Sequence, residues 1–196
     1  MTMTRLEKRF VNRQRKADRN IERVRQRLNQ LDAADIHDVL ELGCGIGAVS
    51  AYLSKQYGMN VTGTDFDPQQ IEIARQLYSE GKRLRFQVED ATNLNFDDES
   101  FDLVISQNVF HHIPAWDKAI HEVARVLREA GYIIWLDLAF PAIIKKLLRP
   151  WVKNYGLYTI DDVNIEFDRN GFNRLFYEKS FHGFFMHHHL VLTNGK

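Results

Sequence analysis

Glu41-Leu42-Gly43-Cys44-Gly45-Ile46-Gly47-Ala48 joins a short apolar run, residues 36–42, to a stretch with helical character, residues 46–57. Glycines at 43, 45 and 47 let the backbone turn tightly and approach a ligand with no Cβ in the way. The N-terminus of the helix that follows offers free N–H groups and a positive dipole end to an anionic group. The spacing also fits the dinucleotide pattern G-x-G-x-x-[GA], with Ala48 in the last place. The loop therefore marks where a nucleotide-like ligand would bind and leaves open which one.

Working outward, Gly58 ends the helix and residues 59–64 form the next strand. Asp67 is placed to cap a helix that starts at Pro68 and runs to about residue 79. Further strands are predicted over 84–88 and 101–106, then a helix over 115–128, and a fifth strand over 132–138 opened by Gly131. Strands alternating with helices predict a parallel sheet covered on both faces, which explains why these strands are almost continuously apolar. The ending differs. A helix over 161–170 precedes two strands, 172–181 and 184–193, separated only by the region of Gly183, and strands that close can pair only antiparallel.

Two acids stand at strand ends. Asp65 lies 22 residues beyond Gly43 in Thr64-Asp65-Phe66, placed either to accept hydrogen bonds from ribose hydroxyls or to serve a turn. Since Asp67 already fills the capping position, the ribose reading gains weight. Asp90, in Val88-Glu89-Asp90-Ala91, can accept from an adenine amino group while Phe66 covers one ring face. The alternative is a solvated loop acid in an acid-rich stretch.

Taken in order, ELGCGIG, TDFDP, VEDATNLNF, FDLVISQNVFHHI and LREAGYIIWLDL resemble the class I S-adenosylmethionine-dependent methyltransferases over about residues 36–138. The group with the nearest pattern includes the ubiquinone/menaquinone-type and many small-molecule methyltransferases. The resemblance implies a Rossmann-like, doubly wound α/β fold with a mostly parallel seven-stranded sheet. Its C-terminal hairpin is antiparallel, with strand seven inserted beside strand five. It implies S-adenosylmethionine as cofactor. Glu41 and the loop of Gly43, Cys44, Gly45 and Gly47 would hold its methionine end. Asp65 would hold the ribose, with Phe66 beside the adenine and Asp90 and Ala91 on the adenine's other side. Ser106, Gln107 and Asn108 resemble the segment that meets the cofactor's amino group, and His112 a histidine often found just beyond. One departure is Glu129-Ala130-Gly131, where the family usually has Pro-Gly-Gly; it concerns a turn.

Methyl transfer from a sulfonium depends mainly on holding the reacting atoms in line. A base is needed only if the acceptor loses a proton, and His111, His112 and Asp137 are the candidates by position. His182, near the hairpin tip, is placed to face a substrate. In His187-His188-His189 only the outer two can share a strand face, so a metal site is not expected. Cys44, the one cysteine, reads as packing in a turn that requires a small residue.

The chain of 196 residues has a net charge of zero, but residues 1–31 carry ten Lys/Arg against three acids, leaving the remaining 165 residues at −7. Residues 4–31 read as one long basic helix whose apolar stripe includes Phe10, Val24 and Leu28. The expected organisation is this helix over residues 1–32 followed by the methyltransferase-like domain over 33–196. Residues 139–158 form an amphipathic insert in which Ile143, Ile144, Leu147, Leu148 and Trp151 mark one face, read as a lid or substrate wall. That apolar bulk favours a small, hydrophobic acceptor. The apolar stripe of the basic helix would dock on the domain and help close the site; anionic-membrane or nucleic-acid contact through the helix stays open. With no run of 18 apolar residues, no secretory h-region and a single cysteine, a cytoplasmic or membrane-peripheral protein is expected. An NAD(P)-dependent oxidoreductase and a non-catalytic, cofactor-holding assembly or RNA-contacting factor stand as alternatives.

Overall fold

The computed structural model describes residues 14–148, 150–182 and 185–195, with backbone alone at 14, 15, 33, 182 and 185. Helix α1 (Gln14–Leu28) leads through a 3-10 turn to β1 (Asp38–Leu42), α2 (Ala48–Tyr57), β2 (Asn60–Asp65), α3 (Pro68–Leu77) and β3 (Leu84–Val88). Then come β4 (Phe101–Gln107), a 3-10 turn (Phe110–His112), α4 (Trp116–Val126), β5 (Leu127–Leu138) and α5 (Ala142–Leu148). The chain closes with α6 (Ile160–Arg169), β6 (Phe172–His182) and β7 (Phe185–Asn194). The sheet order is β3-β2-β1-β4-β5-β7-β6, parallel through β5 and antiparallel at β7 and β6. This is the doubly wound seven-stranded sheet expected, with strand seven inserted beside strand five.

Strand periodicity assigns side chains to two cores. Leu40, Val104, Ile133 and Trp135 pack with α4 and α6 on one face. Their neighbours Val39, Leu103, Ile105 and Ile134 pack on the other face with α2 and α3. Both faces are dry, hence the unbroken apolar runs. Because the chain moves from β1 out to β3 and then back to β4 beside β1, a crevice opens at the carboxyl ends of β1 and β4.

Two boundaries differ from the sequence expectation. Helix α4 ends at Val126, and β5 begins at Leu127, well before Gly131. Leu127 pairs with Phe101 and the ladder resumes at Leu103–Tyr132, the intervening residues of β5 bulging out with Ala130 at φ 57°. Arg128 holds this segment extended by donating to Asp38 and Asp102 and to the Glu99 carbonyl. The second difference is α5. Nothing on it is buried, and its apolar face looks away from the molecule. Phe140 N–H bonds the Tyr158 carbonyl (2.8 Å) and Lys145 pairs with Asp162 (2.6 Å), which fixes the insert with Lys145 turned inward.

The basic N-terminal helix docks on the domain. Val24 and Leu28 are buried with Val39 and Leu53. Arg27, also buried, donates to Glu178 at 2.5 Å and lies 4.4 Å over the Phe176 ring. Phe10 and the helix's first turns lie outside the described residues. Because Leu28 sits in a filled core, Leu28→Ala should destabilise the protein by about 2–5 kcal/mol, measured by urea unfolding. A change of a few tenths would mean that α1 is not part of the cooperative fold.

Candidate functional site

The crevice at the carboxyl ends of β1 and β4 is a cleft of about 640 Å³. It gathers positions spread across the sequence. Glu41, Gly43, Cys44 and Gly45 form its floor; Asp65, Phe66, Asp90 and Ala91 form one flank; Gln107, Asn108, His111 and His112 form the other. Three predicted positions stand behind the wall, and one of them is Ser106, buried at the end of β4. Gly47, at φ 81°, packs so that a Cβ would meet the Phe86 ring at 2.5 Å, and Asp137 is fully buried behind His111.

The glycine loop is held by its acids. Asp65 accepts from Gly45 N–H (2.9 Å) and from Asp67 N–H (2.9 Å), tying the ends of β1 and β2. Asp67 accepts from Gln69 N–H and caps α3, as its place before Pro68 predicts. Gly43 lies at φ 66° with a Cβ position only 2.3 Å from Val109, so any side chain there would force β1 and the segment after β4 apart. Asp90 accepts from Thr92 N–H and Oγ1 in a tight turn at the rim.

Glu41 is buried, with Ser50 Oγ donating to its Oε2 at 2.5 Å. Burial, only partly offset by Ser50 and reinforced by the Asp65 charge, pushes its pKa up to about 7. Cys44 is similar in kind: burial, with Glu41 and Asp65 nearby, lifts its thiol well above the ordinary value, so it stays protonated.

On the opposite flank Asn108 adopts φ 56°, a left-handed conformation that Asn tolerates better than other side chains. The turn directs Val109 N–H (2.9 Å) and Phe110 N–H (2.8 Å) onto Asp137 Oδ2, while His111 Nδ1 meets Oδ1 at 2.5 Å. Burial alone would raise the Asp137 pKa. The His111 ring and the backbone donors outweigh it, so the carboxyl sits below its usual range and stays ionised. Next to it, Gln107 is 8% exposed, and both atoms of its amide lack a partner among the described residues.

The wall includes residues the sequence reading did not single out. Lys16, Ala17 and Asn20 of α1 close one side, and Tyr155 of the insert, its ring 5.8 Å from that of His112, closes another. Burial, with Arg19 and Arg23 adding repulsion, lowers the Lys16 pKa. No local motif marks these positions; the apolar stripe that docks α1 was the available signal. His188 and His189 lie away from the cleft, on β7: His188 bonds Tyr177 and His189 bonds Ser180. No cluster of three or more metal-ligating side chains occurs among the described residues. The His182 side chain lies outside them.

Stability should report the Glu41 environment. Its folded pKa of about 7 lies above its unfolded value near 4.5, so the folded state binds the proton more tightly and loses stability as pH rises between those values. Glu41→Gln keeps an acceptor for Ser50 and has no charge to desolvate. Its stability relative to the parent should rise by on the order of 2–3 kcal/mol between pH 4 and pH 8. A difference that stays constant in denaturant titrations at the two pH values would contradict the burial of an ionisable Glu41.

Residues 40–135 match the family described as a methyltransferase domain. The 2-methyl-6-phytyl-1,4-hydroquinone methyltransferase of Synechocystis is 43% identical over 101 residues, covering 50% of this chain and 31% of that protein. The chloroplastic tocopherol O-methyltransferase of Arabidopsis thaliana is 35% identical over 125 residues, 61% of this chain and 36% of that one. The chain thus spans less than half the length of these curated relatives. In fold it is similar to the PH0226 protein of Pyrococcus horikoshii, with a TM-score of 0.73, 24% identity, and 94% and 93% of the two chains covered. These likenesses do not favour the oxidoreductase or assembly-factor alternatives. By its domain match, its relatives and its strand order, the chain belongs to the class I S-adenosylmethionine-dependent methyltransferases.

Proposed function

We propose that this protein transfers a methyl group from S-adenosylmethionine to a small, lipophilic acceptor whose hydroxyl loses its proton. The observation that carries this reading is the charge of the cleft. Among the described residues, Glu41, Asp65, Asp67, Glu89 and Asp90 stand on its wall against one cation of the Lys/Arg kind, Lys16. A wall of this sign suits a ligand carrying positive charge and repels the pyrophosphate of a dinucleotide, although the glycine loop fits both.

The residues present fit the cofactor. The unpartnered Gln107 amide, buried on the wall, offers both a donor and an acceptor to a polar ligand. Glu41 and the Gly43–Gly45 backbone would hold the methionine end, Asp65 the ribose, and Phe66 with Asp90 and Ala91 the adenine. When bound, S-adenosylmethionine supplies an electrophilic methyl group on a positively charged sulfur that departs neutral. Methyl donation thus asks little acid–base chemistry of the donor side.

The acceptor side has its own device. Ionised Asp137 accepts from His111 Nδ1–H and thereby leaves Nε2 as the ring's basic nitrogen. His111 lies on the wall, positioned to take a hydroxyl proton from the acceptor, and Asp137 would stabilise the imidazolium formed. His112, its ring tilted 42° to that of His111 with centroids 4.0 Å apart, and Tyr155 would pack against the acceptor. The relatives named for a phytyl hydroquinone and for tocopherol O-methylation support a hydroxylated, lipophilic acceptor.

Two measurements separate the parts of this reading. Asp65→Asn should weaken S-adenosylmethionine binding roughly tenfold to a hundredfold in calorimetry, with the fold kept. Unchanged affinity would remove Asp65 from the ribose site, and tight NAD(H) binding without S-adenosylmethionine binding would overturn the cofactor. His111→Ala should lower kcat about 10²–10⁴-fold while cofactor affinity stays within a few-fold. With a hydroquinone-type acceptor, a kcat close to the parent value would show that no base is used there.

A further inference from the structure

Helix α5 and the turn after it expose large apolar side chains that the fold leaves uncovered. Trp151 is 85% exposed, Ile143 75% and Leu147 67%, with Ile144 also exposed. Residues 143 and 147 lie one turn apart on α5, and Trp151 follows in the turn beyond its end, so the ridge is built from the helix and its exit. A soluble surface has no need to gather a tryptophan and three branched aliphatics on two turns of chain. Nor is the ridge a by-product of poor tethering, since Lys145–Asp162 and the Phe140–Tyr158 backbone bond hold the segment in place.

The charge around the ridge points to what covers it. Residues 139–158 contain four Lys/Arg and no Asp or Glu, inside a body of residues 32–196 that is otherwise strongly acidic. Lys146 and Lys153 are exposed beside the apolar side chains. We infer that this ridge docks the protein on an anionic lipid bilayer, with Ile143, Ile144, Leu147 and Trp151 entering the interface and the lysines meeting the headgroups. A convex ridge of seven helical residues is small for a protein partner, because a stable interface buries roughly 1,200–2,000 Å². A bilayer requires no such complementary surface; it accepts a short amphipathic element by burying each apolar side chain. Tryptophan is suited to the headgroup boundary. The acidic remainder of residues 32–196 is repelled by the same surface, which favours α5 as the part of this domain that meets it. No helix among the described residues is long and apolar enough to cross a membrane, so the attachment is peripheral and reversible.

The placement bears on the cleft. Tyr155, four residues past Trp151, lines it, and Gly156 N–H bonds the His111 carbonyl at 3.0 Å. A Cβ at Gly156 would meet the Phe110 carbonyl at 2.5 Å, so ridge and acceptor wall are in direct continuity. An acceptor dissolved in the bilayer would thus reach the wall over a short path. That consequence rests on the proposed function, whereas the docking itself does not.

The test uses the full chain and sedimentation with vesicles of phosphatidylcholine, with or without phosphatidylglycerol. Binding is expected to the anionic vesicles, weaker in high salt and much weaker to the neutral ones. The double variant Leu147→Ser/Trp151→Ser should lose roughly tenfold or more in partitioning while keeping parental S-adenosylmethionine affinity in calorimetry, because neither residue lines the cleft. Absence of binding by the parent, or equal binding by the variant, overturns the inference; the latter would assign any lipid affinity to the basic N-terminal helix. Light scattering supplies a further arm: a dimer that the double variant abolishes, without vesicle binding, would make a second copy the occupant. Vesicle binding by a protein that shows no methyl transfer would leave the docking standing and count against the proposed function alone.

Discussion

A single buried carboxylate organises the catalytic half of this molecule. Asp137 has no solvent exposure, and an isolated charge there would be costly. It is retained because four donors converge on it: the amides of Val109, Phe110 and Leu138, and the His111 ring. Those donors come from the end of β5 and from the turn after β4, which are adjacent only when the parallel sheet has formed. The same contact therefore fixes the left-handed exit at Asn108, the rotamer of His111 and one wall of the cleft. Tyr158 lies close enough for the Asp137 charge, after burial, to raise its phenol well above the ordinary pKa. It stays neutral, so the group that faces this carboxylate on the insert adds no competing charge.

A second organising force is the division of charge along the sequence. The basic helix is not a detached arm. Arg27 is buried against Glu178, Arg25 bonds Glu22 in its own helix, and Lys16 turns into the acidic cleft. Some of the charge asymmetry that suggests a polyanionic partner is thus satisfied within the fold, as acidic body meets basic roof. Lys16 pays part of its hydration for that position, which is why its pKa falls although carboxylates share the cleft.

The sheet was legible in the sequence because its strands carry information locally. Buried parallel strands must be apolar on both faces, and glycines or acids at their ends punctuate them, so β1 to β4 and the closing hairpin could be placed within a residue or two. The glycine loop, Asp65, Asp67 and Asp90 were legible for the same reason: each is needed by the turn in which it stands. The start of β5 was not, because residues 127–131 look helical by composition and are held extended by Arg128 through contacts distant in sequence. Asp137 was visible as an acid at a strand end, but not as a buried one, since burial depends on β7 pairing alongside. Lys16 and Asn20 were invisible as individual cleft residues, because nothing in an amphipathic stripe says which neighbour it will face, whereas Tyr155 lies in the insert read as a lid or substrate wall. The outward face of α5 failed for the opposite reason. Apolar spacing implies a buried stripe only when the protein itself supplies the cover.

The histidine run shows how far that dependence reaches. Read alone, His187 to His189 suggest either metal binding or a tolerated strand face. In the fold, β7 lies between β5 and β6, and His189 pairs in register with Leu136 on one side and Glu178 on the other. Glu178 is the partner of Arg27, so α1 brings positive charge close to this histidine. Burial and then the Arg27 and Arg23 charges push the His189 pKa down to about 4, which keeps the ring neutral where a cation would repel the helix. A neutral ring thus adds no repulsion to a helix docked through Val24, Leu28 and the Arg27–Glu178 pair. Since α1 carries Lys16 and Asn20 into the cleft, the roof of the site is tied through Arg27 to Glu178 of the closing hairpin, a residue that does not line it.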